Sequence, residues 1–177
     1  MTGVQTCALP ICCTHLSLCG TQSIVIFDDV TMSIVANQIF SRTIGGSVAG
    51  LAGTGLLLNN GGDNLSITAN GAYTFATPVD DGLTYAVTVS TQPTLPAQVC
   101  SVVNSSGTVS ANVTNADVTC VTNTYTIGGS ITGLAGGGLV LQNNGGDDLA
   151  PASGDTAFTF ATPINDSATY NVTVSAQ

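Results

Sequence analysis

Thr84-Tyr85-Ala86-Val87-Thr88-Val89-Ser90 decides the fold class of this chain. Tyr85, Val87 and Val89 fall on one side of an extended backbone and Ala86, Thr88 and Ser90 on the other, the period of two of a half-buried β-strand. The stretch returns as Thr169-Tyr-Asn-Val-Thr-Val-Ser175. Around it, Ile44-Gly-Gly-Ser-Val-Ala-Gly-Leu-Ala-Gly53 returns as Ile127-Gly-Gly-Ser-Ile-Thr-Gly-Leu-Ala-Gly136, and Phe75-Ala-Thr-Pro78 as Phe160-Ala-Thr-Pro163. The offset is 83 residues from Ile44 to Ile127 and 85 from Phe75 to Phe160, so two single-residue indels separate the copies. A period this long makes each copy a small domain rather than one turn of a solenoid.

Within a copy, turn signals divide short alternating runs. Asn60-Gly61, Asn70-Gly71 and Asn144-Gly145 supply the positive φ angles of tight hairpins. Asp80-Asp-Gly82 and Asn104-Ser-Ser-Gly107 mark further turns, and no segment has the period and caps of an amphipathic helix. Strands are expected near 43–49, 55–59, 65–69, 72–76, 84–91, 97–103, 108–113 and 117–123. That spacing predicts an all-β chain of tandem antiparallel β-sandwiches. The expected core is Leu57, Tyr73, Phe75, Tyr85, Val87 and Val89, with Phe158 and Phe160 sharing a face in the second copy.

The order Gly46-Ser-Val48, Leu56-Leu-Leu58, Ala69-Asn-Gly71-Ala-Tyr73-Thr-Phe75, Tyr85-Ala-Val87-Thr-Val89 resembles the transthyretin-like and carboxypeptidase-regulatory-like sandwich pattern. The unit as a whole resembles immunoglobulin-like modules that occur in arrays in bacterial exported surface proteins and lipoproteins. The resemblance covers about residues 42–177 and implies a module type rather than a function, since sandwiches host many roles. Some transthyretin-like surface modules carry a Lys–Asn isopeptide crosslink, for which this chain has no Lys.

The expected organisation is residues 1–11 as an artefact, 12–41 as a segment of uncertain origin, 42–124 as the first repeat and 125–177 as a second, C-terminally truncated repeat. Thr2-Gly-Val-Gln-Thr-Cys-Ala-Leu-Pro-Ile11 resembles a translated sequencing adapter and is set aside. Ile24-Val-Ile-Phe27 and Ser33-Ile-Val35 read as strands of another domain or as the product of a frame error. Leu16-Ser-Leu-Cys19-Gly20 resembles a lipobox but follows neither a basic region nor a long apolar run. Gln177 aligns with Gln92, so the chain is expected to be a fragment, with an unpaired sheet edge in the second repeat.

Charge is scarce: ten acids, all Asp, against a single Arg, give a net charge of −9. Nucleic acid and anionic membrane surfaces both need clustered Lys and Arg and are not expected partners. The mean hydropathy is +0.41 because Ala, Val and Leu are many and charges few. No apolar stretch reaches the ~18 residues of a membrane span. Of six Cys, Cys7 lies in the adapter-like stretch, and Cys12, Cys13 and Cys19 in the segment after it. Cys100 and Cys120 sit in alternating β-rich runs, where a disulfide is expected and two free buried thiols are the alternative. Such a bond implies an oxidising compartment.

No catalytic residue is expected, since the repeats lack His and Glu and any nucleophile would lack its base. The pairs Asp80-Asp81 and Asp147-Asp148 lie in Gly-rich turns, and neither survives as a pair in the other copy. Asn59-Asn-Gly-Gly-Asp-Asn64 and Asn143-Asn-Gly-Gly-Asp-Asp148 offer hard oxygens, making Asp63, Asn64, Asp147 and Asp148 the calcium candidates. Their spacing is not that of an EF-hand, and plain hairpin loops are favoured over calcium. Gly50-Leu-Ala-Gly53-Thr-Gly55 lacks the helix and Lys of a phosphate loop. Cys7, Cys12, Cys13, His15 and Cys19 fit no zinc-knuckle spacing. The five Asn-x-Ser/Thr matches are expected from composition.

No cofactor is expected. The expected role is a non-enzymatic structural or adhesive module of a secreted or cell-surface bacterial protein, with neighbouring repeats as partners and any anchor outside this stretch. The alternative is an ancillary module, carbohydrate-binding for instance, on a secreted enzyme. The absence of Trp, and Tyr and Phe at expected core positions, weigh against it.

Overall fold

The computed structural model describes residues 40–177 and the backbones of two short strands, β1 (Ser23–Ile26) and β2 (Met32–Val35). These two pair antiparallel, as their apolar runs suggest. Cys7, Cys12, Cys13, His15, Cys19 and the lipobox-like stretch lie outside the described residues. Ser41–Gln177 forms one compact unit.

Every element of that unit is a strand. The first repeat runs β3 (Ser41–Arg42), β4 (Gly45–Ala49), β5 (Leu56–Asn60), β6 (Asp63–Ile67), β7 (Gly71–Thr74), β8 (Val79–Asp80), β9 (Thr84–Thr91), β10 (Gln98–Val102), β11 (Ser106–Thr108) and β12 (Val118–Thr122). They form two four-stranded sheets, ordered β10-β12-β4-β7 and β11-β9-β5-β6, with β3 and β8 paired at one end. All pairings are antiparallel except β12–β4, where Val118 lies opposite Val48.

The two sheets share one core. Val48, Tyr73, Cys100, Val118 and Cys120 come from the first, and Leu56, Leu58, Ile67, Tyr85 and Val87 from the second. Tyr73 and Phe75 meet edge to face, with ring centroids 5.8 Å apart. Val89 is partly buried and packs against this cluster.

Leu57 departs from expectation: Leu56 and Leu58 are fully buried and Leu57 is half-exposed. A run of three leucines carries no alternation, so its phase is set by the ladder, which shifts register between Leu57 and Leu58. The strand expected over 108–113 also differs. β11 ends at Thr108, after which the chain leaves its pairing with β9 to reach the opposite sheet as β12. On the way Val113 bridges to Ile44, and its N–H donates to the Thr43 carbonyl at 2.9 Å.

The second repeat comprises β13 (Thr124–Tyr125), β14 (Gly128–Ser130), β15 (Val140–Asn143), β16 (Asp147–Leu149), β17 (Ala157–Thr159), β18 (Ile164–Asn165) and β19 (Val172–Ala176). Its ladders follow those of the first. Gly46 pairs with Tyr73, and Gly129 with Phe158. Leu58 pairs with Leu65 and Val89, and Leu141 with Leu149 and Val174. The register shift between Leu57 and Leu58 recurs between Val140 and Leu141. Phe158 and Phe160 meet edge to face at 5.7 Å.

Candidate functional site

The hairpin loops singled out for calcium are tight turns, some of whose side-chain oxygens are engaged within the fold. Gly61 and Gly62 take φ of 58° and 101° between Asn60 and Asp63, a two-residue turn that glycine permits. Asn59 donates through Nδ2 to Asn64 Oδ1 at 2.8 Å, and Asp63 Oδ2 accepts from the Thr77 N–H at 2.7 Å. In the second copy Asp148 Oδ1 accepts from Gln142 Nε2 at 2.6 Å, while the buried Oδ2 of Asp147 has no hydrogen-bond partner. Asp63 and Asn64 are neighbours on one strand, as are Asp147 and Asp148, so each pair projects to opposite faces. Among the described residues no group of three or more His, Cys, Asp or Glu could hold a metal ion.

Cys100 and Cys120 are directly opposed on β10 and β12 and form the disulfide. It lies inside the sandwich, both residues being buried. Beside it, a polar residue that the sequence reading passed over organises the glycine-rich loop. Gln98 is 2% exposed. Its Oε1 accepts from the N–H groups of Ala52 and Gly53, both at 2.8 Å. Its Nε2 donates to the Gly50 carbonyl at 2.8 Å and to Thr122 Oγ1 at 3.1 Å. Asn70 clamps the same loop, exchanging bonds of 2.8 and 2.9 Å with the N–H and carbonyl of Leu51. These amides make Gly50-Leu-Ala-Gly53 a fixed corner rather than a free phosphate loop.

The joint between the repeats centres on Asp166. Its N–H donates to the Asn123 carbonyl at 2.7 Å, and its Oδ2 accepts from the Ala97 N–H at 2.7 Å. The Asn123 N–H returns to the Ala97 carbonyl at 2.9 Å. Next to it, Thr124 pairs with Asn165 and Tyr125 with Ile164. The first-repeat counterpart of Asp166 is Asp81, whose Oδ1 faces Arg42 Nε at 3.2 Å in a part-exposed ion pair. The Asp80-Asp81 pair is therefore divided in role. Asp80 Oδ1 accepts from Ser41 Oγ at 2.7 Å and pins the β3–β8 end. The retained Asp at 81 and 166 was the available signal for the joint.

Two groups set the pH response. Burial pushes the Tyr73 hydroxyl up to about 12, helped by the nearby Asp117 and Tyr85, while it donates to the Ala116 carbonyl at 2.5 Å. Asp117 is held below its ordinary value by bonds from the Ser47 hydroxyl and the Ser47 N–H. A raised tyrosine stabilises the fold below its unfolded value and loses that contribution as pH climbs through the folded one. Urea midpoints should therefore fall between pH 10 and about 12, and Tyr73→Phe should flatten that limb. A depressed carboxylate has the opposite sign: its contribution is present above the ordinary Asp range and lost as pH falls through the folded value. Asp117→Asn should correspondingly reduce the acid slope.

No family model, curated protein or solved structure matches the chain. The all-β fold and one buried disulfide define its class, and the disulfide fits an oxidising environment. Among the described residues no helix is long and apolar enough to cross a membrane.

Proposed function

We propose that this chain is a non-enzymatic structural module, a stiff tandem β-sandwich pair of the immunoglobulin-like or transthyretin-like kind in an exported bacterial surface or secreted protein. The observation that carries the reading is the joint. Asp166 bonds both to the linker at Asn123 and to the first-repeat loop at Ala97. The linker itself is only Thr122-Asn-Thr124. A short linker bonded from both sides suits a spacer that holds a neighbouring domain at fixed distance and angle. The disulfide and the low charge suit a protein that works outside the cell.

Asp166→Ala tests this. It removes the carboxylate bridge while leaving the β13–β18 pairing in place. Small-angle scattering should show a broader distribution of maximum dimensions for the variant than for the parent chain, with both melting points within a few degrees. An unchanged distribution would show that Asp166 does not stiffen the joint.

One observation favours the ancillary-module reading. Tyr125 and Tyr170 are 53% and 62% exposed rather than buried, and exposed rings are what sugars stack on. Oligosaccharide binding that disappears in Tyr125→Ala would favour that reading over the spacer.

A further inference from the structure

Three glycines of the first repeat's opening segment, Gly46, Gly50 and Gly53, are explained by what passes over them. A Cβ on Gly46 would lie 2.2 Å from the Ala116 carbonyl oxygen, one on Gly50 2.3 Å from that of Cys120, and one on Gly53 2.4 Å from that of Pro96. All three carbonyls belong to residues 93–122, the path that runs from β9 through β10 and β11 to β12. The second repeat keeps the glycines at the same spacing, as Gly129, Gly133 and Gly136. There a Cβ on Gly133 or Gly136 would meet nothing within 4 Å, and one on Gly129 would meet only the Phe158 ring. Gly133 still needs glycine for its φ of 76°, but no positive φ explains Gly136.

The surrounding side chains point the same way. Tyr85 is 8% exposed and its counterpart Tyr170 62%. Ile44 and Val48 are buried, and their counterparts Ile127 and Ile131 only partly. Two shallow depressions of about 410 and 440 Å³ lie here, both lined by Ile131, Gly133 and Leu134.

We propose that this face of the second repeat is a seat for an extended polypeptide segment built like residues 93–122: two antiparallel strands closed by a disulfide. Main-chain carbonyls of that segment would fill the open space above Gly133 and Gly136. The inference rests on the glycines and the open face, and is independent of the spacer reading.

The test joins a second copy of residues 93–123 directly after Gln177 and compares it with a scrambled segment of equal composition. The native segment should slow amide exchange across 128–133 and 170–174 by ~10-fold or more, and the scrambled one should not. Gly136→Val should leave the melting of the 177-residue chain unchanged and abolish the protection in the extended chain. Equal exchange with and without the native segment, equal protection by the scrambled segment, or protection that survives Gly136→Val would each overturn the proposal. Should the extended chain misfold, the 177-residue chain is titrated with the disulfide-closed peptide 92–123, and absence of the same protection at saturating peptide overturns it equally.

Discussion

Gln98→Leu is expected to destabilise the protein by about 3 kcal/mol, because three backbone groups lose a hydrogen bond that contributes about 0.5–1.5 kcal/mol each. Leucine nearly matches the volume of glutamine and keeps β10 apolar on its inner side. It abandons the N–H groups of Ala52 and Gly53 and the carbonyl of Gly50, all of which the Gln98 amide now satisfies. The urea midpoint should drop sharply with little change in slope. Gln142→Leu makes the natural control. That residue's bond to Asp148 is on the surface, and its loss should cost no more than about 0.5 kcal/mol. Equal midpoints for the two variants would mean that the Gly50–Gly53 corner is not held by Gln98.

The second large effect is loss of the disulfide. Cys100 and Cys120 close a loop with a sequence separation of 20, which the chain-entropy argument values at about 3 kcal/mol. Both cysteines are also part of the core, so Cys100→Ala with Cys120→Ala removes packing as well. Thermal melts of the parent chain with and without a strong reductant, beside the double variant, separate the two contributions. Reduced parent chain should be intermediate, losing the crosslink but keeping the sulfur volume. Identical melts with and without reductant would contradict a stabilising role for the bond.

The sequence was most legible where it alternates. The Thr84-Tyr-Ala-Val run became an eight-residue strand with Tyr85 and Val87 buried. Asn60-Gly61 and Asn144-Gly145 lie in hairpin turns, with positive φ on Gly61 and on both Asn144 and Gly145, whereas Asn70-Gly71 does not: β6 and β7 belong to different sheets, and Gly71, at φ 127°, opens β7. Legibility failed where the local pattern was uniform or irregular. Three consecutive leucines could not reveal their phase. The crossing between sheets at 109–117 has no periodicity because it follows neither sheet. The polar residues that hold the corners and the joint, Gln98, Asn70 and Asp166, were hidden for another reason. Their role comes from partners tens of residues away, such as the 69 positions between Ala97 and Asp166. Composition shows an amide or a carboxylate but not the backbone group it will meet.

The parallel pairing of β12 with β4 has a mechanical consequence. The segment that enters the first repeat and the one that leaves it lie side by side in one sheet, with Val48 opposite Val118 and Ala49 opposite Thr119. Pulling the repeat by its two ends would slide these strands past each other rather than peel them apart. Their bonds, with those of Thr43 and Gly45 to Val113, would then bear the load together instead of breaking one after another. The disulfide ties β12 to β10, so residues between the two cysteines add no length when the sheet yields. Under tension such a unit gives way late, and the crosslinked residues stay out of its extension.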